Sequence, residues 1–395
     1  MKVALNIISF YPSKGGAEEY AKNFALQLAA NGHEVHIFAH AIDIDQDMRD
    51  AGLHFHKVSM ITFPKMLTEV TFALNSGKAI RSGGFDIALG IGGTWAVDMT
   101  CPHGGTNHGW FKQNLRSMIS ENTGSPFAVF TRIAVMLRYL QPANHIKFLL
   151  DKKRFRNPEL KRVIAVSKMV KQDVIKYHSL SEDRIRVVYN GVDLKKFNPE
   201  NAAVYRAEVR KSHGIDEDEV VLLFMANNFR LKGLHCLIRA VAVLKARTNV
   251  RLRVLIAGRG KVARFEKLAR QLGCAEEIIF AGQVDNAQRY YAASDIFVHP
   301  TFYDPCSLVC LEALASGMPV ITSKNNGAGE IITEGVEGYV LEDPEDADFF
   351  AGKIEAFFDE EVRSLAGVNA RKLAKQFPWE RNLKEMFSEM VSNRH

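Results

Sequence analysis

The chain has 395 residues, 47% of them hydrophobic and 24% charged, with a formal net charge of +6. This is an ordinary globular composition at a length that suggests two domains. No apolar stretch reaches membrane-spanning length, which excludes a transmembrane helix, and the five cysteines contain no Cys-x-x-Cys pair, which argues against a cysteine-bound metal.

Residues 2–9 read as a first strand. They lack a small-residue cleavage site and run into a glycine turn, so they are not taken as a signal peptide. With few cysteines, this points to a reducing, cytoplasmic setting. A turn at 10–16 leads to a helix over 17–30, spaced through Tyr20, Phe24 and Leu28, and then to a strand over 34–39. Strand, glycine-rich turn, helix and strand make a dinucleotide-type unit, but without G-x-G-x-x-G, which argues against NAD. Gly15 and Gly16 are either a plain tight turn or a place where backbone approaches a pyrophosphate closely. Asp43-Ile-Asp45 matches the Asp-x-Asp pattern of metal-dependent sugar transferases, and is taken as a polar loop instead.

Further strands are expected over 53–58 and 85–91, with a helix over 65–81 between them. The stretch 92–110 is dense in glycine and histidine and follows a strand, a poor place to build core. His103, before Gly104-Gly105, is its first candidate for a functional side chain; Asp98 and His108 are weaker ones. Residues 127–150 are apolar with Arg132, Arg138 and Lys147 interspersed and a break at Pro142. An apolar face beside a basic one suits either a packing helix or one lying in a membrane interface. Between residues 112 and 162 basic side chains far outnumber acidic ones, which favours an anionic surface. A strand over 163–166 and a helix over 168–177 lead to Tyr189-Asn-Gly-Val-Asp193 and Pro199.

The second half opens with a strand over 220–226. Arg230 and Lys232 follow in Asn227-Asn-Phe-Arg-Leu-Lys-Gly233, before a helix over 234–245. Two cations at a strand end beside a helix N-terminus can hold a diphosphate and stabilise charge growing on it. A buried strand at 295–298 stops at Pro300, and helical spacing begins near Ser307 through Leu308, Leu311 and Leu314. Gly317 and Pro319 end that helix. Exposed N–H groups at Ser307, Leu308 and Val309 would favour an anion at the carboxyl end of a parallel strand. Asp304 and Glu312 flank that position, with sugar hydroxyls as the partners such carboxylates suit. Asp304 alone is equally readable as a helix cap. Cys306 and Cys310 are one helical turn apart near His299 and are read as buried apolar side chains, with no metal site.

Glu312-Ala-Leu-Ala-Ser-Gly-Met-Pro-Val320, preceded by an acidic residue at Asp304, resembles the Glu, seven residues, Glu, Ala-x-x-x-Gly-x-Pro-Val motif of family 4 retaining glycosyltransferases. Asp304 departs from the motif's first Glu by one methylene. The resemblance implies an α/β fold of GT-B type: two Rossmann-like domains with a cleft between them, 1–192 binding the acceptor and 193–378 the nucleotide sugar. A C-terminal helix over 379–395 would return to the first domain. It also implies a transferase moving a hexose, glucose first, from a UDP-sugar to a glycan or glycolipid. No metal and no other cofactor would be needed, and no nucleic acid is a partner. Arg230 and Lys232 would take the pyrophosphate, Glu312 the ribose, Asp304 the sugar, and Gly15, Gly16 and the Ser307–Val309 N–H groups would contribute to binding. The resemblance puts His103 near the reacting carbon. Within the family the chain is most like lipopolysaccharide-core glucosyltransferases. These touch the membrane through the same half, so a peripheral position on the inner face of the cell membrane is expected. A silent sugar-nucleotide binder and an epimerase of the same fold are the alternatives.

Overall fold

The computed structural model describes residues 1–11, 15–64, 66–92, 94–95, 97–123, 128–139 and 141–393. It divides into two compact units. The first comprises residues 1–111, 136–189 and 380–395, and the second residues 112–135 and 190–379. This departs from a single boundary after residue 192, because 112–123 packs within the second unit. There Ser120 meets His235 (Oγ to Nε2, 2.9 Å), and Arg239 donates to the Ser120 and Thr123 carbonyls at 3.2 and 3.1 Å.

The described residues form fifteen strands: β1 (Lys2–Asn6), β2 (Ser9–Phe10), β3 (Glu34–Ala39), β4 (Ala41–Ile42), β5 (His54–Lys57), β6 (Ile87–Ile91), β7 (Met99–Cys101), β8 (Arg162–Ala165), β9 (Ile185–Val187), β10 (Val220–Met225), β11 (Leu252–Ala257), β12 (Ile278–Gly282), β13 (Ile296–His299), β14 (Val320–Ser323) and β15 (Gly338–Leu341). The first unit holds a seven-stranded sheet in the order β5-β3-β1-β6-β7-β8-β9. The second holds a six-stranded sheet in the order β12-β11-β10-β13-β14-β15. Every pairing in both is parallel. Parallel sheets bury both faces, so their central strands read as continuous apolar runs. β10, Val-Val-Leu-Leu-Phe-Met, is buried at all six positions.

In both sheets the chain winds outward on one side and then returns to the other side of its first strand. The order reverses between β1 and β6 in the first unit and between β10 and β13 in the second. At such a switch point the loops diverge and leave a crevice at the carboxyl ends of the strands.

The apolar stretch over 127–150 forms two helices, Ala128–Tyr139 and Pro142–Phe155, with Pro142 at the first position of the second. Proline is tolerated there because that N–H has no intrahelical partner. Asp45 of the Asp-x-Asp pattern caps the helix Gln46–Asp50 by accepting the Met48 N–H at 3.1 Å, and pairs with Lys22. A structural cap is therefore what that pattern encodes.

Asn190-Gly-Val begins the longer segment of the second unit, and Phe377-Pro-Trp ends it. The two segments run side by side: Val192 N–H donates to the Phe377 carbonyl at 3.0 Å, and Trp379 N–H to the Val192 carbonyl at 3.2 Å. A Cβ on Gly191 would lie 2.7 Å from Trp379 Cα, so only glycine fits this crossing. Beyond it, most of the helix Trp379–Ser392 belongs to the first unit. Asn382 there accepts from the Tyr20 hydroxyl at 3.1 Å and donates to the Tyr189 carbonyl at 2.7 Å.

Candidate active site

In the second unit, the loops after β10 and β13 are joined at the switch point. Asn228 Oδ1 accepts the Leu231 N–H at 3.2 Å, which turns the first loop back on itself. Phe302 N–H then donates to the Leu231 carbonyl at 2.8 Å. Gly233 closes the turn with φ +79°, and a Cβ there would sit 2.0 Å from the Pro300 carbonyl oxygen. Backbone conformation and close approach both demand glycine.

This joint brings together side chains that lie 72 residues apart in sequence. Lys232 Nζ lies 2.5 Å from Asp304 Oδ2 and 3.1 Å from the Tyr303 carbonyl. His299, the last residue of β13 and 1% exposed, puts Nε2 3.1 Å from the same Asp304 oxygen. Burial works to raise the Asp304 pKa, but the Lys232 charge and the hydrogen bonds from His299 and Lys232 prevail and hold it well below the usual carboxylate range. Burial, with Lys232 adding to it, depresses the His299 pKa against the pull of Asp304. A neutral His299 donates through Nε2. The capping alternative for Asp304 falls away. The helix is Leu308–Ala315, its cap is Ser307, and Asp304 faces Lys232 instead.

The loop is fixed from the other side by Asn326, which is fully buried. Its Oδ1 accepts the Ser307 N–H at 3.2 Å and the Ala328 N–H at 3.0 Å, and its amide donates to Thr322 Oγ1 at 2.9 Å. This corrects the expectation for Ser307: its N–H is buried and already bonded. Leu308 and Val309 are the half-buried residues of that first turn. Glu312, one turn further on, accepts from the Tyr291 hydroxyl at 2.8 Å, and that hydroxyl also lies 3.1 Å from the Val309 carbonyl. Arg230 donates to Asn114 Oδ1 at 3.0 Å. Asn114, Tyr291, His299 and Asn326 carried no local signal. Each became visible only when distant segments were placed together.

Gly15, Gly16 and His103 lie in the first unit. Gly15 has the extended φ of −173°, and a Cβ on it would meet only the Glu18 carboxylate, so its backbone does not require glycine. Gly16 opens the helix Gly16–Ala30. His103 follows β7, its ring 4.0 Å from that of Tyr20, and its Nε2 has no hydrogen-bond partner among the described residues. Burial pushes the imidazole down to about 3, so it is neutral at physiological pH. Asp98 is structural: its carboxylate accepts the Ala88 N–H at 2.8 Å and faces Lys161 at 3.6 Å. All five cysteines are buried free thiols, and burial pushes Cys310 up to about 12.

Two doubly wound parallel sheets, one with a cation–carboxylate cluster at its switch point, define the GT-B class of sugar transferases. The matches to known proteins agree. Residues 14–196 match the family described as Glycosyltransferase Family 4, and residues 205–373 the family described as Glycosyl transferases group 1. The chain is 28% identical to an uncharacterized glycosyltransferase of Methanocaldococcus jannaschii, over 98% of this chain and 96% of that one. Among solved structures it is similar to WaaG, a glycosyltransferase involved in lipopolysaccharide biosynthesis. The TM-score is 0.79 at 19% identity, covering 97% of this chain and 98% of that one. It is also similar to Anabaena HepE in complex with UDP-glucose, with a TM-score of 0.71 at 17% identity over 99% and 100% of the two chains. This chain belongs to the family 4 glycosyltransferases of GT-B fold and is a glycosyltransferase.

Proposed function

We propose that the enzyme transfers a hexose, glucose in the first instance, from a UDP-sugar to a glycan or glycolipid acceptor with retention of configuration, the lipopolysaccharide core being the acceptor to test first. The observation that carries this reading is the Lys232–Asp304–His299 cluster at the β10/β13 switch point. A fixed ammonium there meets the diphosphate, and a carboxylate held ionised accepts hydrogen bonds from sugar hydroxyls. Arg230 joins Lys232 on the diphosphate, with the Leu308 and Val309 N–H groups. The Ser307 N–H contributes only if it leaves Asn326. Glu312, oriented by Tyr291, takes the ribose hydroxyls. Gly15 and Gly16 form the turn facing the substrates in the acceptor-binding first unit, and neutral His103 accepts or donates a hydrogen bond near the anomeric carbon.

In the reaction the bond from the anomeric carbon to the diphosphate oxygen breaks as the acceptor oxygen bonds to that carbon on the same face. The acceptor's proton passes to the departing phosphate oxygen. Arg230 and Lys232 stabilise the charge that grows on the leaving group. No step uses a metal ion. The test is UDP release from UDP-glucose with and without lipid acceptor. Slow release that accelerates with acceptor supports transfer; tight binding with no turnover under either condition refutes it in favour of a binder. A thermal-shift panel of nucleotide sugars identifies the donor, since only a bound ligand raises Tm by mass action.

The membrane part of the proposal rests on the helix Ala128–Tyr139. Val129, Phe130, Ile133 and Leu137 are 64%, 68%, 52% and 59% exposed, beside exposed Arg132 and Arg138. Among the described residues no helix is long and apolar enough to cross a membrane. An apolar face flanked by arginines fits an anionic lipid surface. Flotation with anionic vesicles at low and high salt checks it, and absence of binding at any salt removes it.

A further inference from the structure

Among the described residues, two clusters of side chains of the types that bind metals lie apart from that site, both in the first unit. Glu34, His36 and His54 meet on β3 and β5. There both ring nitrogens of His36 are already engaged, with His56 Nε2 and Glu34 Oε1, each at 2.8 Å. The His36 and His54 rings stack at 4.6 Å with planes 21° apart. An ion lies in the plane of each imidazole that binds it, and two nearly parallel rings share no such point nearby. This cluster is a hydrogen-bonded stack.

His108, Asp151 and His178 differ in each respect. Their ligating atoms lie within 4.8 Å of one another. His178 and Asp151 are 2% and 3% exposed. Neither ring nitrogen of His178, nor Nδ1 of His108, has a hydrogen-bond partner among the described residues. An unsatisfied buried polar atom costs about 1–3 kcal/mol, and one ion bonded to a nitrogen of each ring would satisfy two of these three. The two rings cross at 72° with centres 5.7 Å apart. Two imidazoles on one zinc ion, with Zn–N near 2 Å, have centres about 5–6 Å apart. His178 Nε2 stands 3.9 Å from Asp151 Oδ2, too far for a hydrogen bond. That is about half an ångström wider than two ligand atoms on a tetrahedral zinc ion.

The surroundings hold these ligands in place. Asp151 accepts the Asn107 N–H at 2.7 Å, and its other oxygen faces Arg154 Nη2 at 3.1 Å. The His108 ring stacks on Phe148 at 4.0 Å, and His178 on Phe155 at 4.5 Å. The Asn107 N–H orients the Asp151 carboxylate as a partner behind a metal ligand does, and the stacking fixes the two imidazole planes.

We propose that His108, Asp151 and His178 bind one divalent transition-metal ion, zinc being the probe, in a structural site with water at the fourth position. The ion ties the start of the helix Asn107–Glu121 to the helix Pro142–Phe155 and the end of the helix Lys168–His178. It takes no part in sugar transfer. The Arg154 charge beside Asp151 keeps its affinity below that of closed Cys/His sites.

The test uses untagged, chelator-treated full-length protein titrated with zinc by calorimetry and followed by thermal melting. One equivalent should bind, with Tm rising by about 5 °C at a hundredfold excess over Kd. H178Q and H108Q should each abolish uptake, while H54Q should leave it unchanged. If H178Q does not fold, H108Q carries the test, since His108 is only half-buried. No uptake by the wild type, in which case buried water fills the site, overturns the proposal. So does uptake that survives H108Q or disappears in H54Q.

Discussion

Replacing Lys232 with methionine keeps an unbranched side chain, one atom shorter, and removes its charge. The Lys232 and Asp304 side chains are 19% and 14% exposed, so the pair is largely shielded from water. Removing one partner of a buried ion pair costs about 3–5 kcal/mol because the other charge is left uncompensated. The residual exposure favours the lower end, about 3 kcal/mol at pH 7. The sign with pH follows from linkage. In the wild type the folded-state Asp304 pKa is depressed, so its contribution is present above the unfolded value of about 4 and lost as pH falls below it. In K232M the opposing charge is gone, burial raises Asp304, and the folded state takes up a proton on acidification. Whether that proton rests on Asp304 or on His299, the uptake has the same sign. The stability gap between wild type and K232M should therefore be largest at pH 7 and narrow toward pH 4.5. Urea midpoints across that range measure it. The double variant K232M/D304N, which leaves no unpaired charge, should regain most of the loss. A gap under about 0.5 kcal/mol at pH 7, or one independent of pH, would refute the buried pair.

Three further expectations follow from the same geometry. G233A places a Cβ 2.0 Å from the Pro300 carbonyl at φ +79°, so it should destabilise by about 2 kcal/mol or more; an unchanged Tm would contradict the joint between the two loops. Y291F removes the hydroxyl 2.8 Å from Glu312 and should weaken nucleotide binding severalfold, about 1 kcal/mol, with Tm held; equal affinity by calorimetry would detach Glu312 from the nucleotide. His103 has a folded-state pKa of about 3 against about 6.5 unfolded, so its contribution to stability is present above pH 6.5 and falls away on acidification. H103Q should flatten the stability profile between pH 6.5 and 4, and an imidazole NMR signal of His103 that titrates near 6.5 would contradict its burial.

The elements were legible where one principle dominated. Continuous apolar runs such as 220–225 gave buried parallel strands, and the breaks at Pro142 and Gly317 matched the helix ends. Local chemistry was not enough where two readings share one residue type. Asp45 matches half of an Asp-x-Asp pair, reads as loop and serves as a cap, whereas Asp304 reads as either a sugar ligand or a cap and serves as an ion-pair partner. The difference lies in which cation each side chain meets, Lys22 or Lys232, and spacing along the chain does not encode that.

The order of apolar runs, the glycines at tight turns and the acidic motif ending in Pro319-Val320 were enough to fix a family and a pair of parallel sheets, because strand burial and turn geometry are set by neighbours in sequence. Tertiary structure alone decided that His299 joins Lys232 on Asp304, that Asn326 occupies the Ser307 N–H, and that His108, Asp151 and His178 meet in one buried place. Hydrogen bonds and charge pairs act over a few ångströms, and only the winding of the sheets brings residues tens of positions apart within that reach.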